Sequence, residues 1–302
     1  MATTRLRYVF PQDGTYYIDL AAGLSLQERK LIRQKQLFTV HGGLYCDADG
    51  SRLDINTAPN TWAVRRAINR AFFFWRKSIA QTLQHVEGMK TGKWNDFKVY
   101  LNNVQSNSLS PVTADGSNLY DSNTPEWDYS TLVRQSYIDP DNDGGLELDA
   151  NPDHFEVMIV GNNHMAASTG LTRISAVRSW LDTRPSIDLD GEPAPEPAPN
   201  TDPLAMMFAE SAYESERIDY IESEGDNPPY SETSIFGNTS TAGNANSNVQ
   251  RQCVAWTTAG TNRVVPVSGF QALCGLLQVV ISGTSGSNAS ELIIDVDHGR
   301  KF

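Results

Sequence analysis

Apolar and polar residues alternate along several short stretches of the 302-residue chain, which is the pattern of half-buried β-strands. The first stretch, Arg5–Phe10, runs into the turn signal Pro11-Gln12-Asp13-Gly14, and Tyr16–Leu20 follows it. Strand composition returns at Leu37–Tyr45, where Gly42-Gly43 predicts a bulge. Further strands are predicted at Phe97–Leu101, Phe155–Val160, Ile174–Leu181, Gln252–Thr258, Arg263–Val267, Leu273–Ser282 and Glu291–Val296.

Three other stretches carry helix signals. Ser25 precedes Glu28 at the spacing of a capping box, in which each side chain satisfies a free backbone N–H of the first turn. The predicted helices run from Ser25 to Lys35, from the cap Asn60 to about Leu83, and from Thr201 or Asp202 to about Glu224. The first two are basic and the third is acidic.

Many short strands, long polar loops and few helices predict an all-β fold, a single jelly-roll β-sandwich with long loops and a few accessory helices. We expect one domain over residues 1–302, with residues 103–130 as loop. Residues 182–200 (DTRPSIDLDGEPAPEPAPN) predict a stiff, extended Pro-rich connection within that domain. No apolar run approaches the ~18 residues of a membrane span, so we expect no membrane partner.

Charge is divided unevenly along the chain. Residues 1–100 carry 15 Lys and Arg against 8 Asp and Glu, whereas residues 101–302 carry 9 against 28. The first part therefore has a net charge of +7 and the second a net charge of −19. Such asymmetry indicates a polyanion-binding surface on the basic side, or copies that bind each other through opposite charges.

The basic residues of the second predicted helix fall on one face. On a helical wheel with Arg65 at 0°, the apolar residues Val64, Ile68, Ala71, Trp75 and Ile79 lie within about 240–320°. The cations Arg65, Arg66, Arg70, Arg76 and Lys77 lie within about 0–140°, with Phe73 among them. Cations bind phosphates and aromatic rings stack on unpaired bases, which indicates nucleic-acid binding. Pairing with carboxylates of the same or a neighbouring chain is the alternative.

No cluster of residues carries a known catalytic signature. The chain has no G-x-S-x-G, Walker or G-x-G-x-x-G motif, and its five histidines lack zinc-ligand spacing. We therefore expect a protein that is not an enzyme and needs no cofactor. Cys46, Cys253 and Cys274 lie far apart in the sequence, and we expect them to be reduced and mostly buried.

One acidic loop is a candidate for weak calcium binding. Asp139, Asp141 and Asp143 match the first ligand positions of an EF-hand loop, and Glu147 follows them. Ala150 stands where that pattern requires a bidentate glutamate. A weak Ca²⁺ site and a plain acidic turn both stay open.

Two further function classes stay open. A β-sandwich module that binds carbohydrate or a receptor would use exposed aromatic residues such as Trp127 and Tyr129. A hydrolase would use dispersed carboxylates, with Glu126 and Asp128 as the first candidates for acid–base roles.

Several stretches recur together in this order in one known family. They are Trp94-Asn-Asp-Phe-Lys-Val-Tyr100, Arg178-Ser-Trp-Leu-Asp-Thr-Arg-Pro185, Asp202-Pro-Leu followed by Asp226-Asn-Pro-Pro-Tyr230, and Phe270-Gln-Ala-Leu-Cys-Gly-Leu-Leu-Gln-Val279. Over roughly residues 5–300, the chain resembles the capsid proteins of small circular Rep-encoding single-stranded DNA viruses.

The resemblance implies a structural protein whose many copies assemble into an icosahedral shell around a circular single-stranded DNA genome. It also implies a location in the virion after assembly in the host cell, and an unidentified host receptor. Many members begin with a long Arg-rich arm, whereas this chain has only Arg5 and Arg7 there. We therefore expect DNA contacts at Arg5, Arg7 and the cationic face of the predicted helix.

Overall fold

The computed structural model describes residues 3–85, 92, 94–105, 108–119, 127–134, 137–138, 147–148, 153–161, 164–166, 170–182, 249–260, 263–283 and 289–300. Strand is the predominant secondary structure within these ranges. The acidic helix predicted after Thr201 and all but the first residue of the Pro-rich connection lie outside the described residues.

The elements follow one another in chain order. They are β1 (Thr3–Phe10), β2 (Gly14–Asp19), α1 (Leu20–Glu28), β3 (Leu37–Cys46), β4 (Arg52–Thr57), α2 (Trp62–His85), β5 (Ser108–Leu109), β6 (Thr131–Arg134), β7 (Tyr137–Ile138), β8 (Glu147–Leu148), β9 (Asp153–Met158), β10 (His164–Ala166), β11 (Gly170–Ser175), α3 (Ala176–Asp182), β12 (Gln250–Trp256), β13 (Val264–Leu273), β14 (Leu276–Ser282) and β15 (Ser290–Arg300).

Two sheets pack face to face over a common core. One sheet has the strand order β1-β15-β3-β13, and the other has the order β12-β4-β14-β2 with the short β5 at its edge. Each strand buries one face in this core because apolar and polar residues alternate along it. In β1, Leu6, Tyr8 and Phe10 are buried while Arg5 and Arg7 lie on the other face. Every one of these strands except β5 contributes buried apolar side chains to the shared core.

The bulge predicted in β3 is confirmed. Asp295 of β15 lies opposite Gly42 and Val296 lies opposite Val40, so His41 is the extra residue. Gly43, two residues after His41, allows β15 to approach closely, because an added Cβ there would lie 2.1 Å from the carbonyl oxygen of Ile293.

The long insertion between β4 and β12 builds a second core. It contains α2, α3 and a small sheet of order β10-β11-β9-β6. Ile68 of α2 and Val157 of β9 share this core with Tyr17 of β2 and Leu276 of β14. Because those two strands belong to the main sandwich, α2 and the small sheet pack directly against it.

Two helix predictions were wrong at their boundaries. α1 begins five residues before Ser25 because Asp19, at the end of β2, caps it through its side chain. The helix ends at Glu28, because the next residue, Arg29, has a left-handed backbone conformation, and the predicted helical residues up to Lys35 are not helical. α2 begins at Trp62 with Thr61 as the cap, because the Thr61 hydroxyl accepts the Val64 N–H at 3.4 Å.

Three strand predictions were also wrong in part. The stretch 174–181 changes after Ser175 from β11 into α3. The stretch 273–282 contains a two-residue hairpin turn at Cys274-Gly275, both with positive φ, between β13 and β14. Residues 97–101 are extended and bonded to β9 at Tyr100, but they form an isolated bridge rather than a strand.

Candidate nucleic-acid interface

α2 is amphipathic as the wheel predicts. Ala63, Val64, Ala67 and Ile68 are buried in the second core, and Trp75 packs at its margin. The opposite side carries the cations, because a half-buried helix keeps its charged residues toward water.

The exposed face of α2 combines cations with aromatic rings. Arg66, Arg76 and Lys77 are exposed, and no carboxylate of the described residues forms an ion pair with them. The Arg70 guanidinium lies 5.2 Å from the centre of the Phe74 ring. Phe73 is 58% exposed and lies among these cations. This surface can attract phosphates and still offer a ring for stacking.

Arg65, the fifth predicted cation of α2, is placed differently. Its side chain is half-buried, and its Nε donates a 2.7 Å hydrogen bond to the Asn60 side-chain oxygen. The bond holds the Arg65 side chain against Asn60, just before the start of α2.

The two N-terminal arginines already have partners in the fold. Arg5 donates two hydrogen bonds to Asp295, and this interaction lowers the pKa of the Asp295 carboxyl below its ordinary value. Arg7 donates to both oxygens of Glu291 and to the carbonyls of Thr113 and Ala114. Their donors are used across β1 and β15, so the predicted DNA contacts at Arg5 and Arg7 would compete with these bonds.

The acidic loop contributes little to the described structure. Asp139, Asp141 and Asp143 lie outside the described residues, and Glu147 is placed only as part of β8. Within the described ranges, no group of three or more His, Cys, Asp or Glu side chains is arranged to hold a metal ion. Calcium binding at this loop stays a prediction.

The aromatic residues proposed for a carbohydrate- or receptor-binding module are not exposed as expected. Trp127 is half-buried, and Tyr129 stacks on Tyr100 at 3.9 Å while its hydroxyl accepts a 2.8 Å hydrogen bond from Gln105 Nε2. The expectation of an exposed aromatic platform at Trp127 and Tyr129 was therefore wrong. Asp128 is exposed, and Glu126 lies outside the described residues.

Asp19 is a buried junction that sequence reasoning missed. Its Oδ1 accepts the backbone N–H groups of Ala21 and Ala22 at 2.9 and 3.2 Å, which caps α1. Its Oδ2 accepts Gln34 Nε2 at 2.9 Å and Trp127 Nε1 at 3.0 Å. Burial raises the pKa of Asp19 to about 6 although these donors lower it. A helix-capping Asp directly after an apolar strand was the signal that could have identified it.

The three cysteines behave as expected. All are free, Cys253 and Cys274 are buried, and Cys46 is half-buried. Burial raises the pKa of the Cys274 thiol, which keeps that side chain in its neutral form.

Comparisons with protein-family models, with curated protein sequences and with solved structures each find no match to this chain. None of the helices in the described ranges combines the length and the apolar composition that a membrane crossing needs. Function is therefore inferred from the strand topology and from the side chains of the described residues.

Proposed function

We propose that this chain is a capsid protein, a single jelly roll whose copies assemble into an icosahedral shell around a circular single-stranded DNA genome. The observation that carries the proposal is the order of the eight sandwich strands. Counted along the chain, they pair as first with eighth, second with seventh, third with sixth and fourth with fifth. This nested antiparallel pairing across the two sheets, with only the short β5 outside it, supports the proposal of a double-sheet jelly roll, a fold that viral capsid domains use.

Exposed apolar residues on the sandwich support contacts between copies. Leu44 and Val264, on the outer face of the β1-β15-β3-β13 sheet, are 43% and 51% exposed. Trp256, on the edge strand β12, is 61% exposed. Burial of such residues between copies removes them from water, and symmetric repetition of the contact closes a shell.

The first experiment measures the mass of the purified protein. We expect multi-angle light scattering and negative-stain microscopy to show closed particles of many copies at neutral pH, because exposed apolar and complementary charged surfaces favour association. A single species of 33.3 kDa across moderate salt concentrations would contradict the shell proposal.

The second experiment tests the DNA role of α2. We expect the variant with Arg66→Gln, Arg70→Gln and Lys77→Gln to form shells that lack DNA, because cations that neutralise phosphates are lost. The slope of log affinity for single-stranded DNA against log salt should fall in magnitude by about 2, from about 0.7 for each contact. Replacing Arg29, Lys30 and Arg263 with Gln removes the same charge from exposed positions outside α2, and this control should keep its DNA.

A different pair of results would assign these cations to subunit contacts. If the α2 variant does not assemble, and the wild type binds single-stranded DNA no better than a neutral control protein does, the DNA role of α2 is wrong. Shell formation by the wild type would still be tested separately by the particle mass.

A further inference from the structure

The acidic excess of this protein is concentrated in one insertion. Residues 183–248 contain 13 Asp and Glu against 2 Lys and Arg, a net charge of −11. The whole chain has a net charge of −12, so all remaining residues together are nearly neutral. Binding to a cationic surface is favourable for a segment of this composition, because it reduces the repulsion among its own carboxylates.

The described residues on both sides of this acidic segment pack in the second core, to which α2 also contributes. The segment follows α3, whose Trp180 ring meets the Trp62 ring of α2 edge to face at 5.4 Å. It ends before Val249, which packs against the second core that also contains Ala63 and Val64. The acidic segment is therefore tethered at both ends to the part of the fold that carries α2.

The surface of α2 has two features that suit such a segment. Arg66, Arg70, Phe73 and Lys77 follow one another at the four- and three-residue spacing that keeps side chains on one stripe. Beside this stripe, a groove of about 350 Å³ runs between α2, the small sheet and α3, lined mainly by apolar side chains such as Phe74, Phe155 and Trp180. Arg70 lines the groove as well, so cations and apolar groove are continuous.

We propose that the cationic stripe and apolar groove of α2 bind the acidic segment 183–248 of the same chain. Residues 202–226 contain eight of its acidic residues, interspersed with apolar ones that include Met207, Phe208, Ile218 and Ile221. Carboxylates of this stretch pair with the arginines and Lys77 while its apolar side chains fill the groove. A phosphate backbone would use the cations but leave the apolar groove exposed to water, so an amphipathic acidic peptide fits the combined surface better.

Tethering makes this contact effective even when each ion pair is weak. A segment held at both ends next to its site has an effective concentration in the millimolar range, which no free ligand at ordinary concentration matches. The same cations cannot bind carboxylates and phosphates at once. If α2 binds DNA as proposed above, the acidic segment therefore competes with single-stranded DNA for the cations of α2.

The contact itself is tested without DNA. A water-soluble carbodiimide joins a carboxylate to a neighbouring lysine amine as an amide, and Lys77 is exposed on the stripe. We expect mass spectrometry of the full-length protein to show links from Lys77 to carboxylates of residues 202–226. In a mixture of ¹⁵N-labelled and unlabelled protein, these links should stay within one isotopic form. The absence of such links, or links that join the two isotopic forms, would overturn the same-chain contact.

The competition is tested with charge variants and a thymidine oligonucleotide of about 20 nucleotides, long enough to span an aromatic and cationic site. In the segment variant, Glu214, Glu216 and Glu222 become Gln and Asp219 becomes Asn. Its matched control neutralises Asp121, Glu126, Asp128 and Asp149 in the same way, so both variants lose four negative charges. We expect the segment variant to bind the oligonucleotide at least about fivefold more tightly than the control does.

A combined variant separates the two proposals. When the segment variant also carries Arg66→Gln, Arg70→Gln and Lys77→Gln, the fivefold gain should disappear, because both ligands then lack their site. Equal affinities of the segment variant and its control would overturn competition. If the Lys77 links form but no variant binds the oligonucleotide, the same-chain contact stands and the DNA role of α2 is the part that fails.

Discussion

Replacing Gly43 with alanine is expected to destabilise the sandwich by about 3 kcal/mol, the upper part of the range for overpacking a close contact. Gly43 lies in β3, which is hydrogen-bonded to β13 on one side and β15 on the other. The added Cβ would lie 2.1 Å from the carbonyl oxygen of Ile293 and 3.0 Å from Ile294 Cγ2. The carbonyl belongs to the backbone of β15, so it can move only if the sheet is distorted.

Gly92 provides the matched control for this substitution. No heavy atom lies within 4 Å of a Cβ added there, so Gly92→Ala changes the unfolded chain in the same way without a clash. Urea unfolding of both variants under conditions that keep the protein unassembled should give a much lower midpoint for Gly43→Ala. Similar midpoints would show that β15 can move away from β3 at little cost.

The strands with regular alternation were predictable because their burial depends on local sequence. In β1 and β15, alternate apolar residues face the same core: Leu6, Tyr8 and Phe10 in β1, and Leu292, Ile294 and Val296 in β15. β4 was missed because a charged residue lies in its centre. Asp54 is 8% exposed and forms ion pairs with Arg52 and Arg251. Its charge is therefore compensated by contacts that the local pattern does not reveal.

The cationic face of α2 could also be predicted, since a helical wheel depends on a single stretch of chain. Arg5 and Arg7 could not be placed in this way. Their partners, Asp295 and Glu291, are nearly the whole chain away in sequence and meet them only because β1 pairs with β15. The order of strands across the two sheets also depends on pairing between residues that lie far apart in the sequence. Alternation along the chain therefore indicates where strands are, but not which strands pair with each other.

The second large effect is expected at Asp19. Asp19→Ala removes the cap of α1 and leaves the buried donor of Gln34 and the half-buried donor of Trp127 without their acceptor. Loss of a cap costs about 1 kcal/mol, and a buried unpaired donor costs about 1–3 kcal/mol, so the variant should lose about 3 kcal/mol or more. Gln34 also bonds both the N–H and the carbonyl of Val99, so the change should loosen the second core from the sandwich.

The pH dependence of the free energy of unfolding should separate the effect of the Asp19 charge from the effect of its hydrogen bonds. Burial raises the pKa of Asp19 from the ordinary value of 3.8 to about 6 in the folded protein. Between these values the folded state binds the Asp19 proton more tightly than the unfolded state does. The stabilisation of the folded state by this proton is therefore complete below about pH 4 and is lost as pH rises through about 6. The stability of the wild type should fall by about 3 kcal/mol relative to Asp19→Asn over this window.

Asp19→Asn is the appropriate reference because its side chain has a similar shape and does not titrate. Its amide faces the donors of Gln34 and Trp127, which lowers stability by an amount that does not vary with pH. The difference in unfolding free energy between wild type and variant, measured by urea unfolding from about pH 4 to about pH 7, therefore reports the Asp19 proton alone. A constant difference across this range would show that the four donors offset burial and that Asp19 stays ionised throughout.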